Sequence, residues 1–311
     1  MVNEAAMTKV SVIISNKNTG NLLQASLRNL EEIKKHDYEN LEVIVVDRGS
    51  TDNSVDMIKN LYPSVTLVQS EDAGLSVSSN AGAKIAAGDY FLFLGPDAYP
   101  RNRTIGGMVK YMEEHPDIGL ATPKLYLEKG ALDPDAHRSF PTPWNSFTRL
   151  TGLYLLFPKS KLFNSYFMSF ENMDIPHEID ACVFGYMLVG RKVFEEVGGF
   201  DPDYYAHGED LDLCYKIKQA GYKIMYLPQW ESGHLKTRIP GGKSGGTGVK
   251  ERPSLSVKIG YARSSTSAMR TFMKKHYRSK YSAPLLWFME LGTYLLEVQR
   301  IVSVTIRHLL S

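Results

Sequence analysis

The sequence has little cysteine, no excess of one charge and no long apolar run. Its 311 residues include only two cysteines, Cys182 and Cys214, which are far apart and lack metal-ligand spacing, so a disulfide framework is not expected. The net charge of +2 gives no field that would attract nucleic acid. No stretch reaches the roughly 18 uninterrupted apolar residues of a membrane-spanning helix, and the N-terminus lacks the apolar core of a signal peptide. These absences predict a cytoplasmic protein without a nucleic-acid partner.

Short apolar strands alternate with helical patterns through the first hundred residues. Buried strands are predicted at 10–15, 41–47, 65–70 and 90–97 because each is a short run rich in β-branched or aromatic residues. Helical patterns separate them, and Gly88 closes the third. This alternation predicts an α/β fold with a mostly parallel sheet and right-handed crossovers.

Polar side chains stand where several of these strands end. Ser15, Asn16, Asp47 and Asp97 all fall at carboxyl ends, which is where open α/β sheets bind ligands. A carboxylate there can accept a hydrogen bond from a ribose hydroxyl or a base N–H, or it can bind a metal. Turn formation alone would explain either aspartate, but two at equivalent strand ends favour a functional role.

Three carboxylates crowd the start of a predicted helix in the stretch "GEDLDLCYKIKQAG". The helix dipole stabilises an anion at Asp210, whereas the like charges of Glu209 and Asp212 oppose it. One acid would suffice as a helix cap, so three indicate a base that is ionised at neutral pH and still accepts a proton. Its buried stripe is predicted to be Leu211, Cys214 and Ile217.

A basic, glycine-rich segment follows the last predicted strand. His234 comes just after "YLPQW", and Lys236 and Arg238 follow within a stretch that could close over a diphosphate. A solvated loop fits that composition equally well. We expect a mobile loop over 241–262.

The middle and the C-terminal part of the chain have a different composition. Residues 126–178 are rich in aromatics, Pro and Ser, which predicts long loops and short helices over one sheet edge. A basic and amphipathic helical tail is predicted over 263–311. Its basic stretch before an apolar segment is typical of a monotopic anchor on an anionic membrane. Packing on the catalytic domain and a homodimer interface remain alternatives.

Several segments together resemble the family 2 glycosyltransferases, which have the GT-A fold. The resemblance covers most of 10–234, and its run from 185 to 228 is highly specific. It implies a catalytic domain over 7–240, with a nucleotide-binding half at about 7–100 and an acceptor half at about 101–240. The segment "RSFPTPW" is similar to the bacterial rhamnosyltransferase-type branch. The matching pieces are "VSVIISNKN", "VIVVDRGSTDNS", "AGLSVSSNAGAKIAAGDYFLFLGPD" and "GYMLVGRKVFEEVGGFDPDYYAHGEDLDLCYKIKQAGYKIMYLP".

The resemblance assigns roles to individual residues. Asp210 is implied to be the catalytic base, with Glu209 beside it in the Glu-Asp motif. Asp97 matches the last carboxylate of an Asp-x-Asp metal motif, and His234 matches a histidine that completes the metal shell in some members. The donor-binding set is Ser15, Asn16, Asp47, Asn80, Lys236 and Arg238.

Two positions depart from the family pattern. Gly95 replaces the first acid of the Asp-x-Asp motif, so Asp97 must hold the metal with water, diphosphate oxygens and His234. Arg48 replaces the Asn that is common after the strand-end aspartate, which changes the contacts to the nucleoside.

The resulting hypothesis is an inverting glycosyltransferase. It would move a sugar, with rhamnose suggested by the branch, from a dTDP-, UDP- or GDP-linked donor to a hydroxyl of a glycan or lipid-linked acceptor. Mg²⁺ or Mn²⁺ would assist, and the protein could lie on the inner face of the plasma membrane. A sugar-nucleotide pyrophosphorylase is disfavoured because "SNKNTG" stands where a Gly-rich phosphate loop should follow the first strand. An inactive GT-A binding module is the other alternative.

Overall fold

The computed structural model describes residues 7–236 and 254–309. Strands and helices alternate through the first hundred residues, as the sequence predicts. The strands are β1 (Val10–Asn16), β2 (Leu41–Asp47), β3 (Thr66–Gln69), β4 (Tyr90–Leu94), β5 (Ala98–Pro100), β6 (Ile118–Tyr126), β7 (His177–Ile179), β8 (Tyr186–Gly190) and β9 (Lys223–His234). The helices are α1 (Gly20–His36), α2 (Ser54–Leu61), α3 (Leu75–Ile85), α4 (Thr104–Glu114), α5 (Pro143–Leu150), α6 (Leu153–Leu156), α7 (Arg191–Glu196), α8 (Glu209–Gln219), α9 (Leu255–Phe272) and α10 (Ala283–Leu309).

All of these strands belong to one sheet in the order β3-β2-β1-β4-β8-β6-β9-β5, and β7 pairs with β9. Pairing is parallel from β3 through β4, as predicted. Beyond β4 the sheet is mixed, because β8 is antiparallel to both of its neighbours. The chain leaves β1 towards β2 and later returns to its other side as β4, and such a reversal of strand order opens a ligand crevice at the carboxyl ends.

The core forms where apolar strands meet small helix residues. Every residue of β1 is buried, and full burial of a side chain such as Ile13 contributes about 1.5–3 kcal/mol. Gly82 of α3 lies directly on this strand, since a Cβ there would come within 2.6 Å of Ile13. The glycine therefore lets α3 pack closely against the sheet.

The part of the C-terminal tail at the end of α9 packs on the main core. A π-helical turn over Met273–Tyr277 follows α9, and Phe272, Met273 and Tyr277 are buried in the main core. Lys275 pairs with Asp201 at 2.5 Å. For this part of the tail, the structure therefore agrees with the alternative in which the tail packs on its own chain.

The boundary predicted for the tail is corrected. Residues 255–262, expected to be loop, are helical because Ser254 caps α9 by accepting a hydrogen bond from the N–H of Val257. The rest of the predicted loop, 241–253, lies outside the described residues. Within the described residues, no helix is both long enough and apolar enough to cross a membrane.

Candidate active site

Asn16 and Asp47 meet at the carboxyl ends of β1 and β2. They are register partners in the parallel pair, and Asn16 Nδ2 donates a 2.7 Å hydrogen bond to Asp47 Oδ2. The Asp47 carboxylate also accepts from the N–H and the hydroxyl of Ser50, at 2.8 and 2.6 Å. Both side chains are buried. The network fixes the Asp47 carboxylate at the sheet edge where a nucleoside is predicted to bind.

The other donor-binding candidates of the N-terminal half are engaged within the protein. The Ser15 hydroxyl lies 2.7 Å from that of Ser78 in α3. Asn80 donates to the carbonyl of Phe200 at 2.7 Å and accepts from its N–H at 2.9 Å. Asn80 thus holds the segment that leads to α8, which is a structural position rather than a side chain presented to a ligand.

Arg48 extends the site from the end of β2. Its guanidinium pairs with Asp72 at 3.1 Å, and the Tyr205 hydroxyl donates to the same carboxylate at 2.5 Å. Burial raises the pKa of Asp72, whereas the hydrogen bond from Lys17 and the charge of Arg48 lower it. The lowering effects are larger, so the pKa lies below its usual value. The residue that departs from the family pattern therefore links the β2 loop to the chain just before α8.

Asp97 and His234 are brought together across two strands. Ala98, the next residue after Asp97, is the register partner of His234, and the N–H of Leu235 donates to the Asp97 carbonyl at 3.0 Å. Glycines border both side chains: a Cβ on Gly95 would lie 2.9 Å from Asp97 Oδ1, and one on Gly185 would lie 2.7 Å from the His234 ring. Because Gly95 and Gly185 have no side chain, the space around the predicted metal pair stays open.

His234 has a carboxylate partner that the sequence analysis did not identify. Its Nδ1 lies 2.8 Å from Asp133 Oδ2, and both side chains are buried. Burial alone would raise the pKa of Asp133, but the hydrogen bond from His234 and the charge of Lys236 outweigh it and hold the pKa at about 2. A histidine held through Nδ1 presents Nε2, which is the usual arrangement of a metal-bound imidazole.

Lys236 contacts these acids in the described structure. Its Nζ lies 2.7 Å from Asp133 and 2.5 Å from Asp135. The predicted diphosphate contact by Lys236 would require it to share or leave these partners. Arg238 lies outside the described residues.

The donor set around Asp97 and His234 fits a divalent cation only in part. A carboxylate and an imidazole suit Mn²⁺, and the Asp133–His234 hydrogen bond supplies the orienting partner. Within 7–236 and 254–309 no cluster of three or more His, Cys, Asp or Glu side chains could hold a metal by itself. The protein can therefore offer two ligands, and the remainder must come from diphosphate oxygens and water.

Asp210 lies in the first turn of α8, where Gly208 adopts a φ of +86° and starts the helix. One of its oxygens accepts the N–H of Leu211 at 2.7 Å, and the other forms a short ion pair with Arg138. Both side chains are largely buried. Burial would lower the pKa of Arg138, yet the Asp210 charge raises it well above its usual value.

Glu209 is in a different electrostatic state from its neighbour. Burial and the charge of Asp210 raise the pKa of Glu209 to about 8, although the charges of Arg138 and Arg48 oppose the shift. Its Oε2 is buried and has no hydrogen-bond partner among the described residues. The raised pKa favours the protonated form of Glu209 at neutral pH.

Asp212 serves the tail and not the site. It is buried, its Oδ1 lies 2.6 Å from Nε2 of His276, and its Oδ2 lies 3.2 Å from Nζ of Lys216. The three clustered acids thus differ in their surroundings, because Asp210 pairs with Arg138 whereas Asp212 pairs with His276 of the tail.

A single short segment, 133–138, joins the two halves of the site. Asp133 at its start contacts His234, and Arg138 at its end contacts Asp210. Asp133 and Arg138 are only five positions apart, so one short segment contacts both the predicted metal ligand His234 and the predicted base. Sequence reasoning missed both residues, although "LDPDAHR" is an unusual concentration of charge in an aromatic segment.

The sequence of the chain matches the model of a known protein family. The sequence model described as "Glycosyl transferase family 2" matches residues 11–198, which is more than half of the chain. The chain belongs to glycosyl transferase family 2. A second model, described as the N-terminal domain of galactosyltransferase, matches residues 164–238 and so includes α8 and His234.

The family 2 assignment agrees with curated relatives. Rhamnosyltransferase WbbL of Escherichia coli K12 is 27% identical over 154 residues, which cover 47% of this chain and 52% of that protein. The N-acetylglucosaminyl-diphospho-decaprenol L-rhamnosyltransferase of Mycobacterium tuberculosis H37Rv is 25% identical over 215 residues, 65% of this chain and 68% of that protein. The match therefore spans about half the length of the first of these relatives.

Solved structures show that this family 2 chain has the GT-A fold. The mannosyltransferase PcManGT from Pyrobaculum calidifontis, in complex with GDP-Man and Mn²⁺, aligns with a TM-score of 0.56 at 17% identity and covers 99% of this chain and 76% of that one. GalNAc-T7 with UDP, GalNAc and Mn²⁺ aligns with a TM-score of 0.56 at 18% identity, covering 93% and 55%. The predicted fold and the predicted glycosyltransferase class are confirmed.

Proposed function

We propose that this family 2 glycosyltransferase is an inverting enzyme in which Asp210 is the base. It moves a sugar from a nucleoside-diphospho-sugar to a hydroxyl of a glycan or lipid-linked acceptor. The observation that carries the proposal is the 133–138 segment, in which Asp133 contacts His234 and Arg138 contacts Asp210.

The ion pair with Arg138 suits the proposed role of Asp210. A buried carboxylate that is paired and hydrogen-bonded keeps a fixed direction. Asp210 takes the proton of the acceptor hydroxyl as its oxygen attacks the anomeric carbon from the face opposite the diphosphate. The C–O bond to the diphosphate breaks in the same displacement, which inverts the configuration at that carbon. The protonated Glu209 places no second negative charge beside the base.

The donor is proposed to lie across the carboxyl ends of β1, β2 and β4. Asp47, held by Asn16, accepts from the ribose or the base, and Arg48 lies on the same side. Asp97 and His234 would hold Mg²⁺ or Mn²⁺, which neutralises charge on the diphosphate leaving group. The PcManGT and GalNAc-T7 structures were both determined with Mn²⁺.

The nucleobase, the sugar and the acceptor rest on the relatives. Two rhamnosyltransferases are among them, which favours a rhamnosyl donor. The name of the mycobacterial relative specifies a diphospho-decaprenol acceptor, which favours an acceptor carried on a polyprenyl lipid. Such an acceptor would place this chain at the cytoplasmic surface of a membrane.

The test compares donor binding with turnover. The full chain is screened by thermal shift with UDP-, dTDP- and GDP-sugars, with and without Mn²⁺, and the stabilising donor is used for product analysis. Asp210→Asn should lower kcat at least ~100-fold while the donor-induced shift survives. Near-normal turnover in that variant would refute the role of Asp210. No metal-linked shift with any nucleotide would favour the inactive binding-module alternative.

A further inference from the structure

Helix α10 presents its polar side to the protein and its apolar side to solvent. Glu297 accepts hydrogen bonds from Thr266 and Arg270 of α9, both at 2.8 Å, and Arg300 donates to Ser265 at 2.5 Å. An amphipathic helix on a soluble protein normally has the reverse orientation, with its apolar side on the core. Among the residues that the structure describes, the outer face of α10 is therefore an unpartnered apolar surface.

This outer face is a continuous apolar stripe. At 100° per residue its members fall within an arc of about 100°, and the 19 intervals from first to last span about 28 Å. No charged residue lies inside the arc, and Trp287, Leu295 and Val298 are 65%, 61% and 60% exposed. Single exposed leucines are ordinary, but a stripe of this length marks an interaction surface. The stripe consists of Trp287, Leu291, Leu295, Val298, Val302 and Ile306.

Cations flank the aromatic end of the stripe. Lys274, Arg278 and Lys280 are exposed, and none of them forms an ion pair with another described residue. The acids of α10 lie outside the arc. Glu297 is paired with Arg270 of α9, whereas Glu290 lines a surface depression together with Lys274 and Arg278. The surface therefore combines an apolar face with an end at which three cations outnumber one acid.

An anionic bilayer accounts for these features better than a second copy of the chain. A helix–helix seam is narrow and would not cover the flanking cations. A second copy would bring a second group of three cations to this surface, whereas lipid phosphates supply negative charge. Trp287 lies at the cationic end, as expected for an indole at the headgroup level.

We propose that α10 lies on an anionic lipid surface, with its stripe at the acyl–headgroup boundary and Lys274, Arg278 and Lys280 at the phosphates. The inference rests on the proposed function, because membrane binding would serve to bring the active site to a lipid-linked acceptor. Helix α9 separates α10 from α8, since a Cβ on Gly208 would lie 3.1 Å from Ala268. Two helix layers of about 8–10 Å each put the carboxylates within reach of a sugar that projects from the membrane.

The test is flotation of the full chain with vesicles of phosphatidylcholine alone or mixed with phosphatidylglycerol. The wild type should float with the mixed vesicles, and its tryptophan emission should shift to shorter wavelength, less so in Trp287→Phe. The double variant Leu295→Gln/Val298→Gln should lower the partition coefficient at least ~10-fold. The triple variant K274Q/R278Q/K280Q should lower it about 100-fold on the mixed vesicles and leave phosphatidylcholine binding unchanged.

The matched control is Leu61→Gln, which alters a leucine of α2 that is also exposed. It should float like the wild type. The inference is overturned if the stripe variant floats as the control does. It is also overturned if the lipid-free wild type is a dimer that Leu295→Gln/Val298→Gln converts to a monomer.

Donor binding separates this inference from the proposed function. Thermal shift with the nucleotide-sugar is measured on the same preparations and also confirms that each variant is folded. Loss of flotation with the donor shift intact would remove the membrane surface and leave the transferase chemistry standing. Flotation by a chain that binds no donor would uphold the lipid surface and remove the proposed function.

Discussion

The guanidinium of Arg138 is paired with the carboxylate of Asp210 across 72 residues of chain. Both side chains are largely buried, so neither charge has water as an alternative partner. The pair connects the aromatic middle of the chain to the first turn of α8. The proposed base is thus held by a residue outside the strand ends that define the donor site.

Removing one partner of this pair should be strongly destabilising. Arg138→Met leaves a buried carboxylate unpaired and should lower the free energy of unfolding by about 3–5 kcal/mol. Adding Asp210→Asn should recover part of that loss, because both charges are then absent. Denaturant unfolding of the two single variants and the double variant measures the coupling. Lys223→Met, which breaks an exposed pair with Asp117, is the control and should leave the free energy of unfolding close to that of the wild type. Strict additivity would contradict a direct pairing.

Asp133 should control metal affinity through His234. Asp133→Asn removes the charge that orients the imidazole, and loss of such a partner weakens metal binding by about 10–100-fold. Titration of the full chain with Mn²⁺, followed by the electron paramagnetic resonance of the free ion, measures this without any turnover. Asp174→Asn alters an exposed acid paired with Lys124 and should bind Mn²⁺ like the wild type. If the two variants bind Mn²⁺ with equal affinity, Asp133 does not support metal binding through His234.

Glu209 should make the protein less stable as the pH rises. Its pKa is about 8 in the folded protein and near 4.5 when unfolded, so between these values the folded state holds one more proton. The free energy of unfolding should therefore fall with rising pH across this window, by up to about 1.4 kcal/mol per pH unit from this group. In Glu209→Gln the slope should be smaller. Unfolding curves at several pH values test this, and parallel slopes for wild type and variant would show that Glu209 is ionised.

The two parts of the tail should respond differently to truncated side chains. Phe272 is buried in the main core, so Phe272→Ala should lower the free energy of unfolding by about 3–5 kcal/mol. Trp287 is exposed on α10, so Trp287→Ala should change it by no more than about 0.5 kcal/mol in the absence of lipid. Thermal unfolding of the pair compares them directly. A large effect at Trp287 would mean that the stripe is already covered in the isolated chain.

The sequence predicted the first half of the fold well because its signals are local. The β-branched runs of β1 and β2 are short, continuous and bounded by polar residues, and the structure contains both strands at the predicted positions. Asp47 and Asp97 were found from strand ends alone. The start of α8 was placed correctly from its capping and apolar pattern.

The remaining contacts of the site could not be predicted because they are long-range. Asp133 lies 101 residues from His234, and the segment between β6 and β7 has no periodicity that fixes its path. Lys236 was predicted to contact a diphosphate from its charge and its glycine-rich surroundings. In the structure it pairs with Asp133 and Asp135, two acids in a segment that the sequence predicted to be a loop.

The close contact between Gly208 and α9 couples the C-terminal segment to the chemistry. A side chain at position 208 would meet Ala268 and the Tyr204 ring at about the same distance, so the helix that carries the carboxylates begins where the tail rests. A force that lifts the tail, whether from lateral pressure in a lipid layer or from a bulky C-terminal fusion, would reach Asp210 through the contact at Gly208 and the Asp212–His276 pair. Turnover of this enzyme should therefore respond to what is attached to its far end.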